Sequence, residues 1–286
     1  MIKGMILDVD GVIVGGKKGY NWPSPHPDVI AALKNLRRQG MIISLCTGKG
    51  TFAIRDIVLD ARLDNIHIGD GGAIVVDFIN NRIIDKHIID KEIVQKIVKS
   101  LLKKNVYVEL YTVDGYYIQK DAISDITRKH AAILYRDPVL LESLENDANK
   151  LEVTKITPVA KDKNERQIIV DIIKDFENIL SLQWGVHLTA NHLEFGIITL
   201  KYISKKESAL RISRTTGIDM SQMLGVGDSM TDWQFMDICG YASAMGNAND
   251  ELKQLVKKKG EKGFVAPSVD ENGILAVFRH FNILNK

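Results

Sequence analysis

The sequence predicts an α/β chain: a doubly wound, Rossmann-like parallel-sheet core interrupted by an inserted α+β cap domain. Three observations carry that expectation. Near both ends of the chain, short apolar runs finish in polar, glycine-bearing turns and lead into helical patterns, which is the rhythm of βαβ units. In the middle that rhythm lapses, and locally paired strands and helices point to an antiparallel sheet with helices on one face. The strand ends of the outer parts also carry carboxylates, a hydroxyl beside glycine, and lysines, residue types that suit one site.

The 286 residues are enough for two ordinary domains. A formal net charge of +2 gives no bulk electrostatic reason for a nucleic-acid or membrane partner. Cys46 and Cys239 lie in or beside apolar stretches without CxxC or Cys/His spacing, so they read as reduced core thiols, not zinc ligands. No apolar run is long enough to span a bilayer, and Met1-Ile2-Lys3 leads into a strand without a signal-peptide pattern. The expected compartment is the cytoplasm.

Met5-Ile6-Leu7 reads as a buried strand that ends in Asp8-Val9-Asp10-Gly11. Side chains two apart on an extended backbone share a side, so Asp8 and Asp10 face one spot past the strand's carboxyl end. Two such carboxylates stay ionised together only near positive charge, and a divalent oxygen-seeking cation such as Mg²⁺ meets that need. A polar turn is the plain alternative for a lone DxDG. A loop rich in glycine and proline follows over 15–27, with Tyr20, Trp22 and His26 read as packing it onto the body. Helical spacing of Val29, Ile30, Leu33 and Leu36 predicts a helix over 28–39. A second strand over 41–46 ends in Thr47-Gly48-Lys49-Gly50 ahead of a helix from 51, a turn suited to an anion though not a P-loop. A short strand at 66–68 and a hairpin around Asn80-Asn81 then mark the change of pattern.

Within the insert, the stripe Ile93, Val94, Ile97, Val98, Leu101 and Leu102 predicts a helix capped by Asp90. Strands at 106–111 and 116–119 flank the turn Asp114-Gly115. Helices are expected over 121–134 and 138–150, a strand over 151–159, a strong helix over 168–180, and strands near 183–189 and 193–200. His130, His187 and His192 are scattered and read as surface or satisfied core histidines.

Alternation then resumes. Ser204-Lys205-Lys206-Glu207 has the form of a capping box. Taking Ala209 and Leu210 as the sheet-facing pair puts Lys206 over the buried face and Lys205 toward solvent. A strand over 223–226 ends in Gly227-Asp228-Ser229-Met230-Thr231-Asp232, with a helix after it. Strands near 241–245 and 264–266 and helices over 249–258 and 273–281 complete the outer part. The domain expectation is a core of 1–82 and 199–286 with an insert of 83–198.

Parallel-sheet strand ends meet at the switch point. There the chain offers a metal cage (Asp8, Asp10, Asp228, Asp232), an anion cradle (Thr47, Gly48), a lysine, and a carboxylate able to attack phosphorus. Phosphoryl transfer needs such a set, because its catalysis is mostly positioning and charge stabilisation.

With these residues in view, the sequence resembles the haloacid dehalogenase-like phosphatases of the Cof type, which carry a large insert cap. Asp8-Val9-Asp10-Gly11, Thr47-Gly48, Lys206 with Ala209 and Leu210, and Gly227 to Asp232 match the four family motifs in order. Ala244-Met245-Gly246-Asn247-Ala248 and Asp270-Glu271-Asn272-Gly273 match two later stretches. The resemblance implies that Asp8 is the nucleophile and Asp10 the acid and base. It implies Mg²⁺ held by Asp8, the Asp10 carbonyl and Asp228 with Asp232 in support, and phosphate held by Thr47, Gly48 and Lys206. It implies a small phosphorylated substrate, a sugar phosphate or a phosphoglycolate-like compound. Departures at Val12, Lys49, Gly71, Glu207 and Thr231 bear on the substrate more than on the chemistry. A phosphomutase of the phosphomannomutase type shares this core, and a non-catalytic phospholigand-binding regulator is the alternative from another class.

Overall fold

The computed structural model describes residues 1–190 and 192–284. The first apolar run forms β1 (Gly4–Leu7), buried throughout, and the glycine-rich excursion leads into α1 (Pro27–Arg38). Pro27 opens α1 where a missing N–H costs nothing, and Val29, Ala32, Leu33 and Leu36 are buried on one face. β2 (Ile42–Leu45) follows, then a tight turn at Thr51–Ala53 before α2 (Arg55–Ala61). β3 (His67–Gly69), β4 (Ile74–Asp77) and β5 (Arg82–Lys86) form an antiparallel ladder. β5 pairs with β4, so the chain leaves this ladder beyond the 82/83 division read from the sequence.

The middle of the chain contains α3 (Lys91–Lys103), β6 (Tyr107–Tyr111), β7 (Tyr116–Gln119), α4 (Asp125–Leu134), β8 (Val139–Leu141) and α5 (Leu144–Asp147). It ends with β9 (Lys155–Ala160), α6 (Lys163–Lys174), β10 (Leu180–Gly185) and β11 (Glu194–Leu200). The strands form one sheet in the order β10-β11-β9-β6-β7-β8. The helix expected over 138–150 is not formed: Val139, Leu140 and Leu141 pair with β7 as a parallel edge strand, and only the short α5 follows. Pro138 disfavours helix before it, and β7 offers the next three residues free backbone groups.

The last part holds α7 (Lys205–Thr216), β12 (Met223–Gly227), α8 (Met230–Met236), β13 (Tyr241–Ala244), α9 (Asp250–Lys257), β14 (Gly263–Val265) and α10 (Gly273–His280). The core sheet runs β14-β13-β12-β1-β2, all parallel. One face packs residues of α1, α2 and α10, such as Leu33, Val58 and Val277, and the other packs α7, α8 and α9 through Ile212, Phe235 and Val256. The fold is therefore doubly wound, with its switch at β1.

Register places the site. Leu7 is level with Leu45 on one side and Val226 on the other. The residues just past these three points therefore emerge together at the sheet's carboxyl edge. In the insert sheet, Val108, Leu110, Ile156 and Ile198 pack with residues of α3 and α6, while Tyr107, Tyr111, Val159 and Phe195 face the other way. That second face turns toward the strand ends of the core. Cys46 and Cys239 are free and buried, and burial pushes both thiols up to about 12. Among the described residues no helix is long and apolar enough to cross a membrane.

Candidate active site

Asp8 follows β1 directly and is almost wholly buried. Asp228 follows β12, and Asp232 lies in the first turn of α8. Carboxylate oxygens of Asp8, Asp228 and Asp232 lie within 4.8 Å of one another. Burial first, and the charge of Asp232 second, push the Asp8 carboxyl up to about 7. Burial, then Asp232 and Asp8, likewise raise Asp228 well above the usual carboxylate range. Asp8 Oδ1 is buried, and Lys205 Nζ lies 3.2 Å from it. Such an all-oxygen cluster, three carboxylates against the single ammonium of Lys205, fits a hard divalent cation such as Mg²⁺.

Asp232 plays a different part from the other two. Its Oδ2 accepts from the backbone N–H of Asp228 at 3.0 Å, from the Ser229 N–H at 2.9 Å and from the Ser229 hydroxyl at 2.9 Å. Its Oδ1 accepts from Lys205 Nζ at 2.6 Å. Its oxygens are engaged, so Asp232 shapes the loop that presents Asp228. Gly11 has φ +74°, and a Cβ there would lie 1.9 Å from Asp228 Oδ2, so only glycine allows the two turns to meet. Asn247, in the turn beyond β13, donates to both the Gly11 carbonyl and Asp228 Oδ2 at 3.0 Å.

The lysine in the site is Lys205, and the assignment of Lys206 is corrected. Ser204 caps α7 and accepts from the Glu207 N–H, as the capping pattern predicts. The buried stripe, however, is Lys205, Ser208, Ala209 and Ile212, spaced as one helix face, and Lys206 is exposed. Leu210 is only half-buried, so the pair 209–210 pointed to the wrong face. Lys205 Nζ sits 3.2 Å from Asp8 Oδ1 as well as against Asp232. Burial alone would lower its pKa, but Asp232 and Asp8 outweigh that and hold it above the ordinary lysine range. The legible signal was Ile212, the stripe's strongest apolar residue, which lies two helical turns from Lys205.

Asp10 points apart from the carboxylate cluster. Its Oδ1 lies 2.7 Å from Lys49 Nζ and 3.3 Å from His187 Nε2. Burial pushes its carboxyl up, yet Lys49 and His187 more than offset this and leave it below the usual range. Thr47 is buried and its hydroxyl accepts from the Lys49 N–H at 3.2 Å. The carbonyl of Gly48 accepts from Lys155 of the insert at 2.8 Å. Lys155 also pairs with the buried Asp70 at 3.0 Å and lies over the Tyr111 ring. Phe52 of the core stacks near Tyr111 and Tyr116 of the insert.

These contacts enclose a cavity of about 390 Å³ between the strand ends and the insert. Asp8, Asp10, Thr47, Gly48, Lys205 and Asp228 line it from the core, and Tyr111, His130, Lys155, His187, Phe195 and Ile197 from the insert. Two histidines read as bland are thus in the cavity wall. Nothing local marked His187 or Lys155, because their partners are far away in sequence. Asn247 stood in a legible motif, though without a role.

A sequence model described as haloacid dehalogenase-like hydrolase matches residues 5–278. The chain is 23% identical over 297 residues to the Bacillus subtilis 5-amino-6-(5-phospho-D-ribitylamino)uracil phosphatase YwtE, covering 96% of each. Its fold is similar to a haloacid dehalogenase-like hydrolase from Bacteroides thetaiotaomicron, with TM-score 0.82 at 16% identity over 98% of this chain and all of the other (100%). It is also similar to a structure described as a sugar phosphatase of HAD subclass IIB, with TM-score 0.79 at 21% identity over 99% and 100% of the two chains.

Proposed function

This chain belongs to the haloacid dehalogenase-like hydrolases, and on that premise we propose that it is a Mg²⁺-dependent phosphatase that cleaves a small phosphorylated metabolite through an aspartyl-phosphate on Asp8. The observation that carries the reading is the convergence of Asp8, Asp228 and Lys205 on the floor of the cavity. Asp8, Asp228 and the Asp10 carbonyl would hold Mg²⁺, which supplies charge that balances the carboxylates and the phosphoryl oxygens.

Asp8 attacks phosphorus, and the bond from phosphorus to the alcohol oxygen breaks. The Thr47 hydroxyl, the Gly48 N–H and the Lys205 ammonium hold the phosphoryl oxygens as their charge shifts. Asp10 gives the leaving oxygen a proton, then takes one from the water that releases phosphate and restores Asp8. Lys49 and His187 keep Asp10 ionised in the present arrangement, which suits the second half. The first half needs the proton on Asp10, so the ester must be cleaved from the form in which Asp10 is protonated. The substrate class accords with a relative named for a ribitylaminouracil phosphate and a neighbour named for sugar phosphates.

The test is a panel of phosphate esters assayed for phosphate release, with Mg²⁺ and after EDTA. Release that depends on Mg²⁺ is expected. Full activity in metal-free buffer overturns the metal assignment. Isomerisation without release identifies a mutase, and binding without either identifies a regulator.

A further inference from the structure

The insert brings to the cavity a second buried polar cluster that phosphoryl chemistry does not use. Tyr107, Glu109 and Tyr111 alternate on the cavity side of β6. Glu109 is wholly buried. Its carboxyl group accepts from the Tyr107 hydroxyl at 3.1 Å and the Tyr111 hydroxyl at 2.9 Å, and His130 Nδ1 lies 2.8 Å from Oε2. Burial first, and Glu109 second, push both tyrosines up, so they remain O–H donors. In its neutral form His130 therefore carries its proton on Nδ1, facing Glu109, and a lone pair on Nε2. Among the described residues Nε2 has no protein partner, and His130 lines the cavity.

The surroundings say what kind of group would meet that lone pair. Ile133, Leu134 and Ile197 line the same wall, and the Phe195 ring centroid is 4.4 Å from that of His130. Lysines do reach the cavity, but Lys49 is paired with Asp10, Lys155 with Asp70, and Lys205 with Asp8 and Asp232. Among the described residues no unpaired lysine or arginine lines it, so a leaving group with its own carboxylate would find no partner.

We propose that the insert side of the cavity receives a flat, uncharged ring on the leaving alcohol, packed against Phe195 and the aliphatic side chains. His130 Nε2 accepts a hydrogen bond from an N–H or O–H on that ring, and Glu109 is its positioning residue. The inference rests on the phosphatase reading for where the ester is cleaved, and it adds the class of alcohol.

The experiment compares kcat/KM for phenethyl phosphate, its meta- and para-hydroxylated forms, glucose 6-phosphate and phosphoglycolate. The ring esters should exceed the other two. One hydroxylated form should exceed plain phenethyl phosphate by roughly three- to tenfold, the value of one hydrogen bond. His130→Phe should erase that ratio while turnover of phenethyl phosphate persists. Glu109→Gln is the second variant: it replaces the charged acceptor that orients the His130 ring, so the hydroxyl preference should fall there too. Higher values for glucose 6-phosphate or phosphoglycolate, or a ratio that survives in the variants, overturn the proposal. Calorimetry with the matching phosphonates separates the two readings. If no ester is cleaved but the hydroxyaryl phosphonate binds better and His130→Phe removes the difference, the ring site stands and the phosphatase reading falls. Equal binding of all the phosphonates overturns the ring site whatever the turnover.

Discussion

Lys205 Nζ lies 2.6 Å from Asp232 Oδ1 and 3.2 Å from Asp8 Oδ1, so one ammonium ties the first turn of α7 to two separate carboxylates. Lys206, one residue on, is exposed. Removing the ammonium takes away a charge from the carboxylate cluster and, under the proposed mechanism, from the phosphoryl oxygens as well. Lys205→Ala should lower phosphate release by about a hundredfold or more, the usual scale for a lost electrostatic contact of this kind. Lys206→Ala should stay within about twofold, since a solvated surface charge contributes little. Steady-state kinetics on both single variants decide it.

Asp8→Asn should abolish turnover, because a neutral amide is no nucleophile. It should also raise the thermal midpoint of the metal-free protein. Burial and Asp232 hold the Asp8 carboxyl at about 7, so the fold opposes its charge. Between the ordinary carboxylate value and 7 the folded state binds more protons than the unfolded one, and stability falls as pH rises through that window. The amide removes this cost. Thermal melts in EDTA at neutral pH, and then with Mg²⁺, should show wild type gaining from the metal and Asp8→Asn gaining much less.

Gly11→Ala should uncouple the metal cage without replacing a carboxylate. The added Cβ would fall 1.9 Å from Asp228 Oδ2, at a φ of +74°. Asp228 must move, and with it the Asn247 contact that orients it. Mg²⁺ titration by calorimetry should show binding weakened by about tenfold or more, since disturbing groups that orient a ligand costs on that scale. Unchanged affinity would mean that Asp228 is not a ligand.

His67 should govern acid stability. It is buried, its Nδ1 accepts from the Leu45 N–H at 3.1 Å, and Nε2 lies 3.1 Å from the Leu63 carbonyl. Protonation would break the first contact, and burial lowers its pKa from 6.5 to about 4. Between those values the unfolded chain binds the extra proton, so stability is lost as pH falls from 6.5 toward 4. The whole window amounts to about 3 kcal/mol at most. Urea unfolding from pH 7 to 4 should show a shallower acid decline in His67→Gln than in wild type, and subtracting the two curves removes the opposite slope of Asp8.

The sequence by itself determined the parallel core, because each β-strand there is a short apolar run closed by a polar turn and followed by a periodic helix. It determined Asp8, Asp10, Thr47, Asp228 and Asp232 as candidates for the same reason: they sit next to strand ends, and strand ends in a parallel sheet converge. The start of α7 was legible too, since Ser204 and Glu207 form a local pattern. Which lysine turns inward was decided by tertiary packing, because helix rotation depends on what Ala209 and Ile212 meet across the sheet. The edge strand β8 was decided the same way, by a free neighbour in β7 that no local pattern announces. The pairings of His187 with Asp10, Lys155 with Asp70 and His130 with Glu109 belong to tertiary structure alone. Each joins residues far apart in the chain, and a buried charge gains its partner only when folding removes the water that served both.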